Sequence, residues 1–260
     1  MNRRAIFITG AAQGIGAATA ERFVRQGWFV GLHDIDRAGV EALRDRLGAD
    51  NAIAAQLDVR DAAAWSPALQ RFWDAAGQRL DVLLNNAGIA TSGAFESLPV
   101  ATHHAILEVN LNGVINGAHA GHDFLRRHPG GGGRLINLAS ASAIYGAAGL
   151  ASYSATKFAV RGLTEALDLE WRGQGIRVCD LWPLFVSTRM VEGLSLPSIR
   201  SLGVRLTADD VASAIWKAAN HRGHRVHWPV GAQAHALYLA SRWLPHRLTR
   251  AVTARLSGHR

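Results

Sequence analysis

The chain of 260 residues contains a single cysteine, Cys179, so it forms no internal disulfide and no zinc site built from several cysteines. Lysine and tyrosine are also scarce, with two and three copies. No acidic residue follows Asp210, although the first 210 positions hold 20. A lone cysteine inside an apolar run is typical of a reducing compartment, and we therefore expect a cytoplasmic protein.

Long uninterrupted apolar segments are missing as well. The stretch MNRRAIFITG has only three strongly apolar residues in a row, too few for the apolar region of a signal peptide. The uncharged span 135–156 has roughly the length of a bilayer crossing, but it contains Asn137 and clustered hydroxyl side chains. We interpret it as a buried strand and loop. With 48% hydrophobic residues, the chain is typical of a soluble protein with a large core.

The sequence does contain a regular alternation of short apolar runs and longer segments of helical periodicity. Strands are predicted near 5–9, 28–33, 52–57, 81–85, 134–139, 176–182 and 225–228, and helices near 15–26, 36–47, 61–76, 100–127, 152–172 and 207–220. This alternation predicts an α/β fold, a single-domain, Rossmann-type, doubly wound parallel sheet of about seven strands with helices on both faces.

A glycine-rich turn, ITGAAQGIG, joins the first predicted strand to the first helix through Gly10, Gly14 and Gly16. Backbone amides exposed at a helix start, with no side chains in the way, bind a pyrophosphate. The spacing is GxxxGxG instead of GxGxxG, but the position after the first strand is the one expected for a dinucleotide site. We predict such a site here; a tight turn of purely structural function is the alternative.

Asp34 lies at the tip of the second predicted strand, 24 residues after Gly10. A carboxylate at about this distance accepts hydrogen bonds from an adenosine ribose and repels a 2′-phosphate, which favours NAD. Arg37 is close enough to serve a phosphate, so NADP is the second choice. Asp34 is alternatively the N-cap of the next helix, although Asp36 is also placed to cap it.

Tyr153 and Lys157 stand four residues apart in YSATKFAV, so on a helix their side chains share one face. A nearby ammonium favours the phenolate, so this spacing allows a chemical pairing of the two side chains. A surface pair without chemical function is the alternative.

Five motifs together resemble the short-chain dehydrogenase/reductase family over about residues 5–230. They are TGAAQGIG at 9–16, NNAG at 85–88, Asn110 in LEVNLNG, Ser140 in INLASAS, and the Tyr153/Lys157 pair. The resemblance implies that Tyr153 is the general acid/base while hydride moves between substrate carbon and nicotinamide. It further implies that Lys157 also binds the nicotinamide ribose, that Ser140 donates to the substrate oxygen, and that Asn110 holds a water linking Lys157 to solvent.

The same resemblance implies a set of cofactor contacts, with Asp58 and Val59 around the adenine, Asn86 to Gly88 along the adenosine, and Val186 and Thr188 at the carboxamide. The full set is Gly10, Gln13, Gly14, Ile15, Gly16, Asp34, Asp58, Val59, Asn86, Ala87, Gly88, Tyr153, Lys157, Pro183, Val186 and Thr188. Leu184 departs from the family pattern, which usually has glycine there. Its side chain is expected to restrict the backbone and add bulk near the nicotinamide. No metal site is expected.

The segments 142–150 and 184–202 are expected to line the substrate pocket. Their side chains are mainly apolar, which favours an apolar ketone or secondary alcohol: Ile144, Leu150, Leu184, Phe185, Met190, Leu194 and Leu196. Tyr145 is either a hydrogen-bonding specificity residue or part of the packing.

Residues 231–260 are expected to form a basic extension, packed on or beside the catalytic, dinucleotide-binding domain 1–230. An interrupted apolar stripe runs beside arginines, and Pro245 is expected to break the helix. Such a segment suits peripheral contact with an anionic membrane or the phosphates of an acyl carrier; packing on a neighbouring subunit or over the pocket is the alternative. Few aromatic residues are interleaved, so nucleic-acid binding is not expected.

We therefore predict an NAD-dependent oxidoreductase that interconverts a secondary alcohol and a ketone on an apolar small molecule. The resemblance suggests a homodimer or homotetramer built through the helices near 100–127 and 152–172. The alternatives are a dinucleotide-binding sensor or scaffold on the same fold, and an NADP-dependent carbonyl reductase.

Overall fold

A single parallel sheet with strand order 3-2-1-4-5-6-7 forms the centre of the computed structural model. The structure describes residues 3–243 and 245–256, and within these ranges it describes every side chain except those of residues 246, 249, 252 and 256. All five residues of the first strand are buried, because helices cover both faces of the sheet. The predicted doubly wound α/β fold is confirmed. The strands are β1 (Ala5–Thr9), β2 (Phe29–Asp34), β3 (Ala52–Gln56), β4 (Val82–Asn85), β5 (Arg134–Leu138), β6 (Arg177–Pro183) and β7 (His227–Val230).

The helices of this part of the chain follow the predicted alternation, with two differences. The predicted helix 100–127 is divided by a π-helical turn at Glu108–Asn112, and two short helices, α7 and α8, occupy the segment before residue 203 that was expected only as pocket lining. The helices are α1 (Gly14–Arg25), α2 (Arg37–Leu47), α3 (Ala62–Ala75), α4 (Val100–Leu107), α5 (Gly113–Arg126), α6 (Ala151–Trp171), α7 (Arg189–Glu192), α8 (Pro197–Leu202), α9 (Ala208–Asn220), α10 (Ala232–Trp243) and α11 (His246–Leu256).

Two apolar cores lie on the two faces of the sheet. Ile6 and Ile8 point to the face covered by α1, α2 and α9, whereas Ala5 and Phe7 point to the face covered by α3 and α5. This alternation follows from the two-residue repeat of a strand. At the end of the sheet, α10 packs against β7 and α11 packs against α8.

The topology places a crevice at the carboxyl ends of the central strands. The chain leaves β1 towards β2 and β3 on one side and returns to β4 on the other, so the connections diverge between β1 and β4. Open α/β sheets bind ligands at this switch point. Within residues 3–243 and 245–256, no helix has the length and apolarity needed to cross a bilayer.

Candidate active site

The glycine turn at the end of β1 is shaped by close backbone approach. Gly10 and Gly14 have φ of +65° and +57°, in the left-handed region. A Cβ on Gly10 would lie 2.8 Å from Ala87 Cα, and a Cβ on Gly16 would lie 2.9 Å from Ala11 Cα. The first amides of α1 donate no hydrogen bond to the side chain of the N-cap residue, Gln13, and Ile15 packs against the core beneath. The result is a cradle of free amides at a helix start, which fits a pyrophosphate.

Asn86 fastens this turn to β4. Its Nδ2 donates to the carbonyl oxygens of Thr9 (2.8 Å) and Gly10 (2.9 Å). In return, Thr9 Oγ1 accepts from the backbone amides of Asn86 (3.1 Å) and Ala87 (3.2 Å). Thr9 is a residue that the sequence analysis missed, although it is the first letter of the TGAAQGIG motif. The donors of the Asn86 side chain are therefore used by the protein itself.

Asp34 does not cap α2. Asp36 does so by accepting from Gly39 N at 3.0 Å. The Asp34 carboxylate instead accepts from Ala12 N in the glycine turn and from Asp36 N, both at 3.0 Å. The structure thus brings this half-buried carboxylate to the cradle, with further lone pairs open to a ribose hydroxyl.

Two arginines that follow β2 and β3 in the chain are each paired with a carboxylate. Arg37 Nε donates to Glu41 at 2.7 Å, and Arg60 binds both oxygens of Asp58 at 2.5–3.0 Å. The bond from Arg60 holds the pKa of Asp58 below its usual value. The side chain of Val59 is buried in the core that contains Trp65. The predicted adenine contacts of Asp58 and Val59 thus come from a loop whose side chains already have partners.

Three of the four predicted catalytic residues come together at the start of α6. Lys157 Nζ lies 5.3 Å from the centre of the Tyr153 ring and donates to Leu138 O at 2.9 Å. Ser140, just after β5, hydrogen-bonds with the Tyr153 phenol, and its Oγ also accepts from Ser142 N at 3.1 Å. The phenol, hydroxyl and ammonium therefore share one small volume.

The electrostatics of this group differ from the sequence-based expectation. Burial raises the pKa of Tyr153, and the hydrogen bond with Ser140 acts in the opposite direction. Burial also lowers the pKa of Lys157 to about 8. The expectation that Lys157 makes the phenol more acidic is wrong for this arrangement, because desolvation penalises both charged forms.

Asn110 lies in the π-helical turn between α4 and α5 and is fully buried. Its Oδ1 accepts from Ile89 N and its Nδ2 donates to Ile89 O, both at 2.8 Å, and Nδ2 also reaches Thr156 Oγ1 at 3.5 Å. Gly88 packs beside it, since a Cβ there would lie 3.2 Å from Asn110 Oδ1. Asn110 thus anchors the loop after β4 next to α6, and its assigned water remains a prediction.

The loop after β6 returns to the glycine turn. Pro183 ends β6, and Val186 bridges to Leu206. A Cβ on Gly14 would lie 3.4 Å from Thr188 Cγ2, which places Thr188 beside the cradle. Leu184 is not strained: Gln78 is the only non-glycine residue with positive φ in the described ranges.

An apolar wall surrounds Tyr153. Leu150, Phe185, Leu194 and Leu196 pack with Tyr145 and Tyr153 in one cluster. Ile144 differs from the expectation, because it packs in a separate cluster with Trp182 and Tyr238. Met190 is 39% exposed. The wall is therefore narrower than the predicted set but remains apolar.

One polar pair beside Tyr153 was not predicted. Ser152 Oγ lies 2.7 Å from His103 Nδ1, and His103 Nε2 lies 3.1 Å from the carbonyl oxygen of Phe95. Since a carbonyl only accepts, Nε2 donates and Nδ1 accepts from the serine in the neutral ring. The pair ties α4 to α6, and its 49-residue separation leaves no sequence pattern to find it by. No group of three His, Cys, Asp or Glu side chains among the described residues is arranged to hold a metal.

A family model described as short chain dehydrogenase matches residues 4–197. The chain belongs to the short-chain dehydrogenase/reductase family. The predicted family is confirmed, and several relatives of the chain are named as oxidoreductases or dehydrogenases.

Individual relatives resemble the chain over most of its length. "Probable oxidoreductase EphD" of Mycobacterium tuberculosis is 32% identical over 274 aligned positions, which cover 96% of this chain and 44% of EphD. The chain thus spans less than half of that relative. The (2S)-[(R)-hydroxy(phenyl)methyl]succinyl-CoA dehydrogenase subunit BbsD of Thauera aromatica is 35% identical over 225 residues, covering 83% of this chain and 88% of BbsD.

A solved structure has a similar fold. The crystal structure of 3-ketoacyl-(acyl-carrier-protein) reductase from Brucella melitensis, complexed with NADH, superposes with a TM-score of 0.82 at 29% identity. The match covers 89% of this chain and 98% of the reductase.

Proposed function

We propose that this short-chain dehydrogenase/reductase uses NAD to interconvert a secondary alcohol and a ketone on an apolar substrate, with Tyr153 as general acid/base. The observation that carries the proposal is the meeting of Tyr153, Ser140 and Lys157 inside an apolar wall, at the same sheet edge as the glycine cradle. A sensor or scaffold needs the cradle alone.

The choice of NAD over NADP rests on charge at the Asp34 end of the crevice. The Asp34 carboxylate lies at the glycine turn, and a 2′-phosphate bound beside it would be repelled. Arg37 and Arg60 follow β2 and β3, and each is paired with an acid. The Brucella relative is named as a complex with NADH, which is consistent with this choice.

The residues at the crevice divide the chemistry between them. The bound nicotinamide supplies the hydride acceptor or donor. Ser140 donates a hydrogen bond to the substrate oxygen and fixes its distance from the Tyr153 hydroxyl. When the alcohol is oxidised, Tyr153 as phenolate takes the hydroxyl proton as the hydride leaves the carbon. When the ketone is reduced, the neutral phenol returns a proton to the oxygen, so protons and electrons balance in both directions.

The raised pKa of Tyr153 has a direct consequence for the two directions. At neutral pH the phenol keeps its proton, which is the form that reduction requires. Oxidation requires the phenolate and is therefore expected to accelerate as pH rises, whereas reduction is not. Initial rates in both directions over one pH series measure this difference.

The apolar wall favours a substrate with a hydrocarbon body. Leu150, Leu194 and Leu196 offer no hydrogen-bonding group, so the hydroxyls of a sugar would lose water without gaining partners. BbsD is named for a phenyl-bearing substrate and the Brucella enzyme for an acyl-carrier-protein substrate, and both names are compatible with this class.

Tyr153→Phe tests the proposal. Turnover in a screen of secondary alcohols and ketones is expected to fall by about 10²-fold or more, because the variant has no proton to exchange. NADH binding, read by fluorescence titration, is expected to persist. Tyr145→Phe is the matched control, since Tyr145 packs in the same cluster. Unchanged turnover in Tyr153→Phe refutes the mechanism, and a wild-type protein that binds NADH without any turnover supports the sensor alternative.

Exposed apolar side chains on α5 and α6 support the expected homo-oligomer. Ile115, Phe158 and Leu169 are 42%, 41% and 67% exposed on these helices. A cavity of about 680 Å³ between the helices, lined by Ile115 and Leu163, contains none of the catalytic residues. Apolar surface of this kind is typical of subunit contacts. Light scattering of the purified protein reads the subunit number.

A further inference from the structure

The surface formed by α10 and α11 is one-sided in charge. Residues 211–260 contain eight basic side chains and no acidic one, whereas the first 210 residues balance 20 against 20. The net charge of +8 therefore belongs to the last fifth of the chain. Arg242, Arg247, Arg250 and Arg255 are exposed on these two helices.

The same surface exposes large apolar side chains. Trp243 is 81% exposed, and Leu239 and Leu248 are each 54% exposed. Leu239 and Trp243 are four residues apart on α10 and so lie on one face of it. Trp65 and Trp182, by contrast, are completely buried. We name Leu239, Arg242, Trp243, Arg247, Leu248 and Arg250 the C-terminal patch.

The composition of the C-terminal patch matches a lipid surface better than a second copy of the chain. Tryptophan and leucine insert at the boundary between headgroups and acyl chains, while arginines bind the headgroup phosphates. A symmetric contact between two copies would set arginines against arginines, with no acidic residue on either helix to offset them. We propose that the C-terminal patch binds the surface of a membrane that contains anionic lipid.

The position of α11 connects membrane binding to the substrate side of the crevice. Helix α11 packs against α8, and Ile199 of α8 packs on the apolar wall that includes Tyr153. Binding through the patch would therefore bring the substrate side of the crevice close to the bilayer, where an apolar substrate accumulates. The membrane contact itself does not depend on the proposed reaction.

Sedimentation of the full chain with vesicles tests the proposal. Vesicles of phosphatidylcholine with phosphatidylglycerol are expected to pellet the protein, and those of phosphatidylcholine alone are not. Binding is expected to weaken as salt rises. Each arginine near an anionic surface adds about fivefold in partitioning, so Arg247→Gln with Arg250→Gln should weaken it about 25-fold. Leu239→Ser with Trp243→Ser should weaken it about tenfold or more, because apolar area no longer leaves water.

A matched control separates the patch from net charge. Arg71→Gln with Arg126→Gln removes the same charge from exposed positions on α3 and α5. NADH binding and thermal midpoints of all variants show that they fold. Absence of pelleting, or equal losses in the patch and control variants, overturns the proposal. If Trp243→Ser instead reduces the molecular mass of the protein found by light scattering, the C-terminal patch is a subunit contact. If the patch binds an acidic acyl carrier but no vesicle, its partner is a protein. Either outcome also overturns it.

Discussion

The two halves of the active-site crevice are held by different interactions. In the cofactor half, Asn86, Thr9 and Asp34 fix the glycine turn through hydrogen bonds of 2.8–3.2 Å. The substrate half, residues 184–206, has the short helices α7 and α8, apolar contacts and few hydrogen bonds to the rest of the chain, such as Ser195 N to Ser92 Oγ at 3.1 Å, and it leaves Met190 and Val204 39% and 41% exposed. Hydrogen-bonded backbone tolerates little displacement, whereas apolar packing adapts to changes of shape. The cofactor half is therefore suited to one fixed ligand, and the substrate half is suited to substrates of varying shape.

The largest effect is expected from a single methyl group in the cofactor half. A Cβ on Gly16 would lie 2.8 Å from Asn86 Nδ2 and 2.9 Å from Ala11 Cα. Overpacking of this kind costs about 1–3 kcal/mol, so Gly16→Ala should lower the free energy of unfolding by that amount and weaken NADH binding at least about tenfold. Urea denaturation and fluorescence titration measure the two effects.

Gly162→Ala is the control for this substitution. Gly162 is exposed on α6 and has nothing within 4 Å of an added Cβ, so alanine should stabilise the helix by about 0.5–1 kcal/mol. If Gly16→Ala and Gly162→Ala had the same effect on the free energy of unfolding and on NADH binding, the glycine turn would accommodate a Cβ more easily than its close contacts indicate.

The same contrast explains how much the sequence predicts. Gly10, Gly16 and Asp34 act through the backbone or through one short side chain at the end of a strand, so their position in the chain nearly fixes their position in space. The strand boundaries are predicted to within two residues, because each strand is an apolar run between turns. The family is predictable for the same reason, since its motifs mark strand ends.

Other features depend on contacts between distant segments. The residue types in the π-helical turn around Asn110 do not distinguish it from an ordinary α-helix. The turn is specified by the hydrogen bonds between Asn110 and Ile89. The contact between His103 and Ser152 is indicated by no periodic pattern in the sequence. The raised pKa of Tyr153 reflects burial, which a sequence spacing of four residues does not encode. These three features result from packing between distant segments, and the sequence alone does not predict them.

A second prediction concerns the effect of acid on a buried histidine of the cofactor half. His33 is 1% exposed next to Asp34 and stacks on Phe7 at 3.8 Å, and burial lowers its pKa to about 3. Between pH 6.5 and 3 the unfolded chain binds a proton there that the folded chain does not, so stability falls as pH falls through this range. The loss for one such group is about 2 kcal/mol at pH 5 relative to pH 7.

His33→Phe keeps an aromatic ring on Phe7 and removes the titration. Urea denaturation of both proteins at pH 7 and pH 5 should show a smaller loss of stability in the variant. Identical losses in the two proteins would mean that His33 takes up its proton in the folded state, contrary to its burial.

The smallest effect is expected where the chain departs from its family, at Leu184. Its backbone has no positive φ, so a leucine is accommodated there without strain, and replacement by glycine relieves nothing. Leu184→Gly should change the NADH dissociation constant by less than about threefold, and it should lower the free energy of unfolding by only about 0.5–1 kcal/mol through the greater freedom of glycine in the unfolded chain. Titration with NADH and urea denaturation measure both quantities, with Leu194→Ala as a control that shortens another leucine of the substrate half. A more than tenfold gain in NADH affinity for Leu184→Gly alone would show that this side chain obstructs the cofactor. The two halves of the crevice would then be coupled, and the division between a fixed half and an adaptable half would not hold at the nicotinamide.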